Sequence, residues 1–453
     1  MIMFRRRPAP YAPRRLPLPA LPGLVLPRLR LPGIPLPGLL LLGLLLASCG
    51  SGTATPGLAD GDVLLDLEVE DLYRVGSREG GTWDAFTRIT SMAFGDDGRL
   101  HILDPQQRRV HVVGESGEHL LSFGVQGDGP GELRNAVGVQ VLADGRIVVA
   151  DNGHQAFLVF GPDGSFQRSQ RYDADGSLPG SRLQRFGADA VLSHAQGFRF
   201  EGTPGGGPPT PPTTTPVYRW SLDASHDGGA RERVLDAWRP EREPPRSQGG
   251  GGGMAMMVSI SRALEPGVHF AALPDGRLAL ADSSAYQIRI YSAEGQSGPP
   301  PQVVGREIRP VPVGPEEQAG EKARRLAELE AGGGPQIQMV TQGPGGGGAQ
   351  VVPQEQIREM LRSQMEEMSF WHEIPVVTRL AADPDGRLWV ERSAGIGEEG
   401  PIDLLTADGD YLGTLPAGGI RTPMAFGPGG LAAWVELDEL EVPFVRVARL
   451  RVE

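Results

Sequence analysis

Two residue types that build many functional sites are almost missing from this sequence of 453 residues. It has one cysteine, Cys49, and one lysine, Lys322. A single thiol excludes an intrachain disulfide and a zinc site built from several cysteines. The eight histidines are scattered, with neither the His-x-x-x-His spacing of helical zinc sites nor a Gly-x-Ser-x-Gly nucleophile turn. The common metal and nucleophile motifs are therefore absent from the sequence.

Positive charge is scarce beyond the amino terminus. The formal net charge is −13, and the first 48 residues contribute seven arginines and no acid, so residues 49–453 sum to −20. An acidic chain of this kind repels the phosphates of nucleic acids and of anionic lipids. The sequence therefore predicts no nucleic-acid partner and no peripheral binding to an anionic membrane.

An apolar run near the amino terminus is too short to span a bilayer. It extends from Leu39 to Ala47, about half of the roughly 20 residues that a transmembrane helix needs. Arginines precede it and small residues follow it, which is the layout of a secretory signal. The sequence Leu46-Ala47-Ser48-Cys49 resembles the lipobox of bacterial lipoproteins.

That resemblance implies an anchor and a location. In the lipoprotein family the signal is removed before the cysteine, which is then acylated. The resemblance thus predicts a signal peptide over residues 1–48, lipid attachment at Cys49 and a linker over residues 49–61. Gly50 and Ser51 follow the cysteine, without the aspartate of inner-membrane retention. The family's sorting rule therefore favours the outer membrane or the cell surface of the bacterial envelope over the inner membrane.

One pattern recurs along the rest of the chain. Asp-Gly turns, each followed by a β-rich segment, end at Gly98, Gly145, Gly276 and Gly386. A second turn glycine follows 19 residues later in the first three copies and 23 residues later in the last. Asp-Gly between alternating apolar residues is a strong hairpin signal. Two hairpins per copy predict a four-stranded antiparallel sheet.

The spacing of the copies predicts a closed ring of sheets. Gly98 and Gly145 are 47 residues apart, in the range of propeller blades. The wider gaps leave room for a third copy at 184–238 and for an insertion at 313–370, between copies four and five. A sixth copy ends after three strands, and residues 62–76 can supply the fourth. We therefore expect an all-β, six-bladed β-propeller over residues 62–453, with five or seven blades as alternatives because the third copy lacks the turn.

The second copy carries a family resemblance. GVQGDGPGELRNAVGVQVLADGRIVVADNGHQAFLVF resembles an NHL-type repeat, and more closely the bacterial six-bladed β-propeller lipoproteins. The shared features are the linker at 127–132, the Asp-Gly-Arg turn and an aspartate after the second strand, here Asp104, Asp151 and Asp282. We expect these aspartates to accept hydrogen bonds from backbone amides at strand ends. Arg392 replaces the aspartate in the fifth copy.

The insertion at 313–370 is predicted to be helical. EEQAGEKARRLAELE has a helical composition, and PQEQIREMLRSQMEEM begins with Pro353, which suits a first helical turn. The second segment places five apolar side chains on one helical stripe: Ile357, Met360, Leu361, Met365 and Met368. We expect the stripe to pack against the propeller, and the alternative is a groove on a partner protein.

Six-bladed propellers include enzymes that hold a metal in the central channel. They are calcium-dependent lactonases and a zinc-dependent amidating lyase of the NHL type. Such a site needs carboxylates or imidazoles on the innermost strands. The predicted inner strands carry one histidine, His269, and one carboxylate, Asp383, which lies beside a turn. The sequence thus predicts no catalytic, cofactor or metal site. It favours a binding or scaffolding module, with a metal-dependent hydrolase or lyase as the alternative.

Two polar residues are candidate ligand-binding groups of the channel. His269 and Arg379 each lie seven residues before their turn glycine, so they occupy equivalent positions on adjacent blades. The alternative is a hydrogen-bonded core histidine and an arginine paired with a neighbouring acid. An envelope protein or glycan is the expected partner, and the chain is expected to be a monomer.

Overall fold

The repeats fold into four-stranded antiparallel sheets, as the turn spacing predicts. The computed structural model describes residues 58–79, 82–172, 177–196, 212–223, 231–242, 262–330, 359, 361–363 and 365–452. By its contacts the chain divides into Met1–Thr53 and Ala54–Glu453, and every described residue belongs to the second unit. Gly145 has a φ of 83°, and this conformation is energetically unfavourable for residues that have a Cβ atom. This is why each Asp-Gly turn ends in glycine.

The strands follow one another blade by blade, after a first strand β1 at Leu67–Val75. Blades 1 and 2 contain β2 (Ser91–Phe94), β3 (Leu100–Asp104), β4 (Arg109–Val113) and β5 (His119–Phe123), then β6 (Ala136–Val141), β7 (Ile147–Asp151), β8 (Ala156–Phe160) and β9 (Phe166–Arg171). Blade 3 contains β10 (Leu178–Pro179), β11 (Gln184–Phe186), β12 (Ala190–Gln196), β13 (Thr214–Ser221) and β14 (Arg231–Trp238).

The second half of the chain adds three more blades and an insertion. Blade 4 contains β15 (His269–Ala272), β16 (Leu278–Ala281), β17 (Gln287–Tyr291) and β18 (Gln302–Gly305). The insertion contains β19 (Val311–Pro312), helix α1 (Pro315–Glu330) and β20 (Glu373–Ile374). Blades 5 and 6 contain β21 (Val377–Ala382), β22 (Leu388–Arg392), β23 (Ile402–Leu405) and β24 (Tyr411–Leu415), then β25 (Ala425–Phe426), β26 (Leu431–Leu437) and β27 (Pro443–Val452).

The prediction of an all-β, six-bladed propeller is confirmed, and the third blade is the irregular one. Its predicted span, 184–238, begins too late, because the blade starts at Leu178. Both β10 and β11 pair with β12, at different ends of that strand. Residues 180–183 bulge out between the two short strands. This blade therefore meets the channel with a loop where the other blades have a continuous strand.

The predicted closure of the ring is also confirmed. Strand β1 pairs antiparallel with β27, with Leu67 opposite Val452 and Val75 opposite Val445. The sixth sheet therefore has the order β1-β27-β26-β25. Residues 62–66 do not extend this strand. They lie against blade 5, where the Leu65 amide donates to the Thr414 carbonyl (2.9 Å).

The hydrophobic core lies between neighbouring blades. The middle strands of each sheet bury both faces, so β3, β7 and β8 are buried along their whole length. Trp220 and Trp389 are among the largest completely buried side chains. Burial of an aliphatic or aromatic side chain stabilises the folded state by about 1.5–3 kcal/mol. Most of the buried apolar side chains therefore pack between neighbouring blades.

The predicted insertion helix is confirmed in its first half. Helix α1 begins at Pro315, and Glu316 and Glu317 occupy its first turn, where negative charge is favourable. The start of the second predicted helix, with Ile357 and Met360, lies outside the described residues, so the apolar stripe stays a prediction. The predicted signal peptide and Cys49 also lie outside them. Among the described helices none is long and apolar enough to cross a bilayer.

The propeller has two unequal faces. The Asp-Gly turns join first to second strands, and similar turns join third to fourth strands, at one face. We call the opposite face, where second strands connect to third strands and one blade connects to the next, the upper face. The long connections between β12 and β13, between β14 and β15, and between β18 and β21 all begin and end there. The chain is therefore elaborated mainly on the upper face.

Candidate functional site

The innermost strands of the six blades surround a central channel. Side chains of one inner strand form hydrogen bonds with the backbone of the inner strand of the next blade. Between blades 1 and 2, the Val139 amide donates to Ser91 Oγ (3.1 Å). Between blades 3 and 4, Gln184 Nε2 donates to the Phe270 carbonyl (2.9 Å), and its Oε1 accepts from the Ala272 amide (2.6 Å). The channel wall is therefore a fixed scaffold for the side chains that point from it.

The two candidate residues lie on neighbouring inner strands. His269 begins β15 and Arg379 is the third residue of β21, so both are near the upper face. Arg379 Nη2 donates to the Pro423 carbonyl of blade 6 (3.1 Å). Burial lowers the pKa of His269 to about 4, and the positive charges of Arg182 and Arg379 act in the same direction. The imidazole of His269 is therefore neutral at pH 7.

A third channel residue, Arg182, was not anticipated by the repeat pattern. It lies in the bulge between β10 and β11, and its Nη2 donates to the Leu380 carbonyl (2.5 Å). The side chain thus reaches from blade 3 to blade 5. Burial lowers the pKa of Arg182 to about 10, with a further contribution from the charge of Arg379. At pH 7 the guanidinium still carries its charge.

The bulge explains why blade 2 has glycine at the equivalent position. A Cβ atom on Gly138 would lie 2.7 Å from the Ser181 carbonyl oxygen and 3.0 Å from Leu183 Cγ. The backbone of the bulge therefore occupies the space that a side chain of blade 2 would fill. Gly138 thereby helps to fix the position of Arg182.

A second arginine of blade 3 reaches across at the other end of the channel. Arg185, in β11, pairs with Asp96 in the β2–β3 turn of blade 1, at 2.7 Å between Nη1 and Oδ1. This turn is on the face opposite the upper face. The same blade therefore sends one arginine to each end, and Arg185 is the one with a carboxylate partner.

Positive charge is in excess at the upper end. Within the part of the chain that the structure describes, Arg182 and Arg379 form no ion pair, and their hydrogen bonds go to backbone carbonyls. Glu391, the neighbour of Arg379 across the sheet, opposes the lowering of the arginine's pKa by burial. Glu391 also accepts a hydrogen bond from the Thr422 amide (3.3 Å). Glu391 therefore offsets the charge of Arg379, whereas no described carboxylate pairs with Arg182.

The other acidic side chains near the inner strands accept hydrogen bonds from backbone amides. Asp104 accepts from the Thr87 amide (2.6 Å), Asp151 from the Arg134 amide (2.8 Å) and Asp282 from the Trp238 amide (2.6 Å). The predicted capping role of these three aspartates is confirmed. Asp383 binds the Arg387 amide and Trp389 Nε1 within its own hairpin. None of these contacts directs a carboxylate towards the channel mouth.

Blade 5 reverses the charge at the position where blades 1, 2 and 4 have aspartate. Arg392 pairs with Asp62, at 2.6 Å between Nη2 and Oδ2, and the two side chains are 1% and 3% exposed. Arg306 joins Asp62 to Asp403, with both contacts at 2.7 Å. We call these four residues the clasp. Burial alone would raise the pKa of Asp62, but hydrogen bonds from Arg392, the Ala59 amide and Arg306 lower it.

The described ranges contain no group of three His, Cys, Asp or Glu side chains placed to hold a metal ion. The residues at the channel mouth are two arginines and one histidine, and a guanidinium is not a metal ligand. Their arrangement suits hydrogen bonding to an anionic group. The prediction that the protein has no metal site and no cofactor stays a prediction.

The chain resembles several solved structures at low sequence identity. No protein-family model and no curated protein matches the sequence. Solved structures that resemble it include a DUF4221 family member from Bacteroides vulgatus (11% identity, TM-score 0.47), with 86% of this chain and 99% of that chain covered. Another is virginiamycin B lyase from Staphylococcus aureus (9% identity, TM-score 0.37), with coverages of 85% and 99%. At these identities and TM-scores no property of those proteins is transferred to this chain.

Proposed function

We propose that this protein is a lipid-anchored binding module of the bacterial cell envelope, with its ligand site at the upper mouth of the channel. The observation that carries the proposal is the convergence of Arg182, His269 and Arg379 from three different blades. All three are near the upper face, from which the long connections leave. A ligand at this mouth would meet polar groups from three blades.

The chemistry of the mouth supports binding more directly than hydrolysis. A hydrolase of the alternative class needs a metal-activated water or a general base oriented by a second group. His269 is a neutral imidazole whose charged neighbours are arginines, and no described carboxylate orients it. Guanidinium groups and an imidazole can hold a polar ligand without transforming it.

The envelope location rests on the sequence. Leu46-Ala47-Ser48-Cys49 resembles a lipobox, and a lipid-modified Cys49 would tether the propeller through a short linker. Several acyl chains, at about 0.8 kcal/mol per buried methylene, would hold it stably on a membrane. An envelope protein or glycan is therefore the partner to look for.

Photo-crosslinking in intact cells tests the binding proposal. A photoreactive residue replaces Thr378, an exposed position at the start of β21. A second variant carries it at Asp408, in an exposed turn on the opposite face, as the matched control. We expect a discrete product from position 378 that is lost on Arg379→Gln, and none from position 408.

Two results would contradict the proposal. One is equal crosslinking from both positions, or crosslinking at 378 that survives Arg379→Gln. The other is stoichiometric calcium or zinc in the purified protein that is lost on His269→Ala, which would support the hydrolase or lyase.

A further inference from the structure

We infer that the upper mouth of the channel binds its ligand through a single carboxylate group, held by Arg182 and Arg379. The inference deepens the proposed function, because it assigns a chemical class to the ligand of the same site. It rests on the hydrogen bonding and the charge balance at the mouth.

Arg182 has unused hydrogen-bonding capacity. A guanidinium has five N–H donors in a planar fork, and the described residues give Arg182 one hydrogen bond, to the Leu380 carbonyl. That bond fixes the end of the side chain beside the backbone that carries Arg379. A carboxylate can accept two parallel hydrogen bonds from a guanidinium, which a backbone carbonyl cannot do.

The charge balance favours a monoanion. Arg182 and Arg379 contribute two positive charges, Glu391 contributes one negative charge, and His269 is neutral. Glu391 acts on Arg379, and Arg239, whose charge reaches His194 together with that of Arg182, has Glu265 nearby. Among the described residues no carboxylate pairs with Arg182, so its positive charge is uncompensated. An enclosed charge without a partner is costly, and one carboxylate would offset it. A phosphate dianion would leave one negative charge in excess.

Arg185, at the opposite end of the channel, shows how this fold compensates the charge of an arginine. Arg185 is three residues from Arg182, also reaches across the channel, and is paired with Asp96. Because the carboxylate of Asp96 belongs to the same chain, the charge of Arg185 is offset without a bound ligand. Neutral His269 offers one donor and one acceptor for a hydroxyl or amide next to the carboxylate.

The test uses the purified full-length lipoprotein in detergent at constant ionic strength. The probes are sodium lactate, sodium acetate and sodium benzoate, with lactamide as the uncharged match for lactate and inorganic phosphate as the dianion. Calorimetry and thermal unfolding measure binding, since a ligand that binds the folded state raises the Tm. We expect the carboxylates to bind, lactamide not to bind, and phosphate to bind at least tenfold more weakly than lactate.

Variants assign the site. Arg182→Gln should weaken lactate binding at least tenfold, whereas Arg182→Lys should weaken it less because the charge is kept. Arg185→Gln is the matched control and should bind lactate as the wild type does. The circular dichroism spectrum and the Tm without probe show whether each variant is folded.

The inference is overturned if no carboxylate probe binds, if lactamide or phosphate binds as well as lactate, or if lactate binding survives Arg182→Gln. Crosslinking at position 378 that still depends on Arg379 would then show a channel ligand of another chemistry. Failure of both experiments would remove the binding proposal as well.

Discussion

Asp62 and Arg392 form an almost completely buried ion pair, 2.6 Å long, although 330 residues separate them in the chain. Asp62 lies just before β1, and Arg392 ends β22 of blade 5. Because β1 itself belongs to blade 6, the amino-terminal segment connects two neighbouring blades. The clasp therefore acts at the junction where the ring is closed.

Removal of the carboxylate at position 62 should strongly destabilise the protein. Asp62→Ala leaves Arg392 buried with a single carboxylate, Asp403, at 3.5 Å. Breaking a buried ion pair on one side costs about 3–5 kcal/mol. Chemical denaturation measures the loss in the free energy of unfolding. The exposed neighbour Asp60 is the control, and Asp60→Ala should change stability by less than about 0.5 kcal/mol. Equal effects of the two substitutions would contradict the role of the clasp.

Deletion of residues 62–75 should abolish cooperative unfolding. It removes β1 and the clasp carboxylate, so it exposes the edge of β27 and opens the ring. A synthetic peptide of the same residues, added in trans, should restore part of the thermal transition because it can pair with β27. A truncated protein that unfolds like the full-length chain would show that β1 does not close the ring.

Replacement of the cysteine should release the protein from the membrane. In cells that process lipoproteins, Cys49→Ser should prevent acylation and removal of residues 1–48. Fractionation and intact-mass analysis check this, and the wild type should show loss of 1–48 and added acyl mass. Ser51→Ala, two residues further on, should be processed as the wild type. Soluble wild-type protein that retains Leu46 would refute the anchor.

The stability of the protein should fall as the pH is lowered from 7 towards 4. Burial lowers the pKa of His101, His111 and His269 to about 4, from an ordinary value of 6.5. Between these values the unfolded chain binds protons that the folded chain does not, so the contribution is full above pH 6.5 and is lost towards pH 4. The pKa of Asp62 is lowered from 3.8, so this carboxylate stays ionised in this window.

Thermal unfolding at pH 7, 6 and 5 measures this dependence. His269→Gln should reduce the fall in Tm over this range, because the glutamine cannot be protonated. A Tm that is constant between pH 7 and 5 would show that these histidines are accessible to protons in the folded protein.

A methyl group on Gly138 should displace the bulge that carries Arg182. The new Cβ would lie 2.7 Å from the Ser181 carbonyl oxygen, so Gly138→Ala should cost about 1–3 kcal/mol of stability and weaken lactate binding. Gly419→Ala is the control, because its Cβ would be at an ordinary 3.6 Å from the nearest atom. Lactate binding that is unchanged in folded Gly138→Ala would separate the bulge from the site.

The blades could be predicted from the sequence because their turns are local. An Asp-Gly turn and its flanking strands need no distant partner to be recognised, and the closing strand followed from the incomplete sixth copy. The third blade was harder to delimit. It has no Asp-Gly turn between its first two strands, so no turn glycine marks the position of a channel residue. Arg182 was missed for that reason, whereas His269 and Arg379 could be found by counting back from Gly276 and Gly386.

The clasp could not be predicted because its members are distant in sequence. Arg392 was visible as a departure from the aspartate of the other copies, and that departure was the one available signal. Nothing in the repeat pattern shows that the compensating carboxylate comes from Asp62, since that residue was expected to belong to the closing strand. In blade 5, the replacement of aspartate by Arg392 thus marks the place where the amino-terminal segment binds.

The pairing of β1 with β27 sets the order in which the protein can mature. The ribosome makes Leu67 long before its partner Val452, so the ring cannot close until β27 has been synthesised. If the chain is exported, as its amino terminus predicts, it can cross the membrane before its final sheet exists. Chains that end before Pro443 would lack β27 and would remain open rings, exposed to proteases.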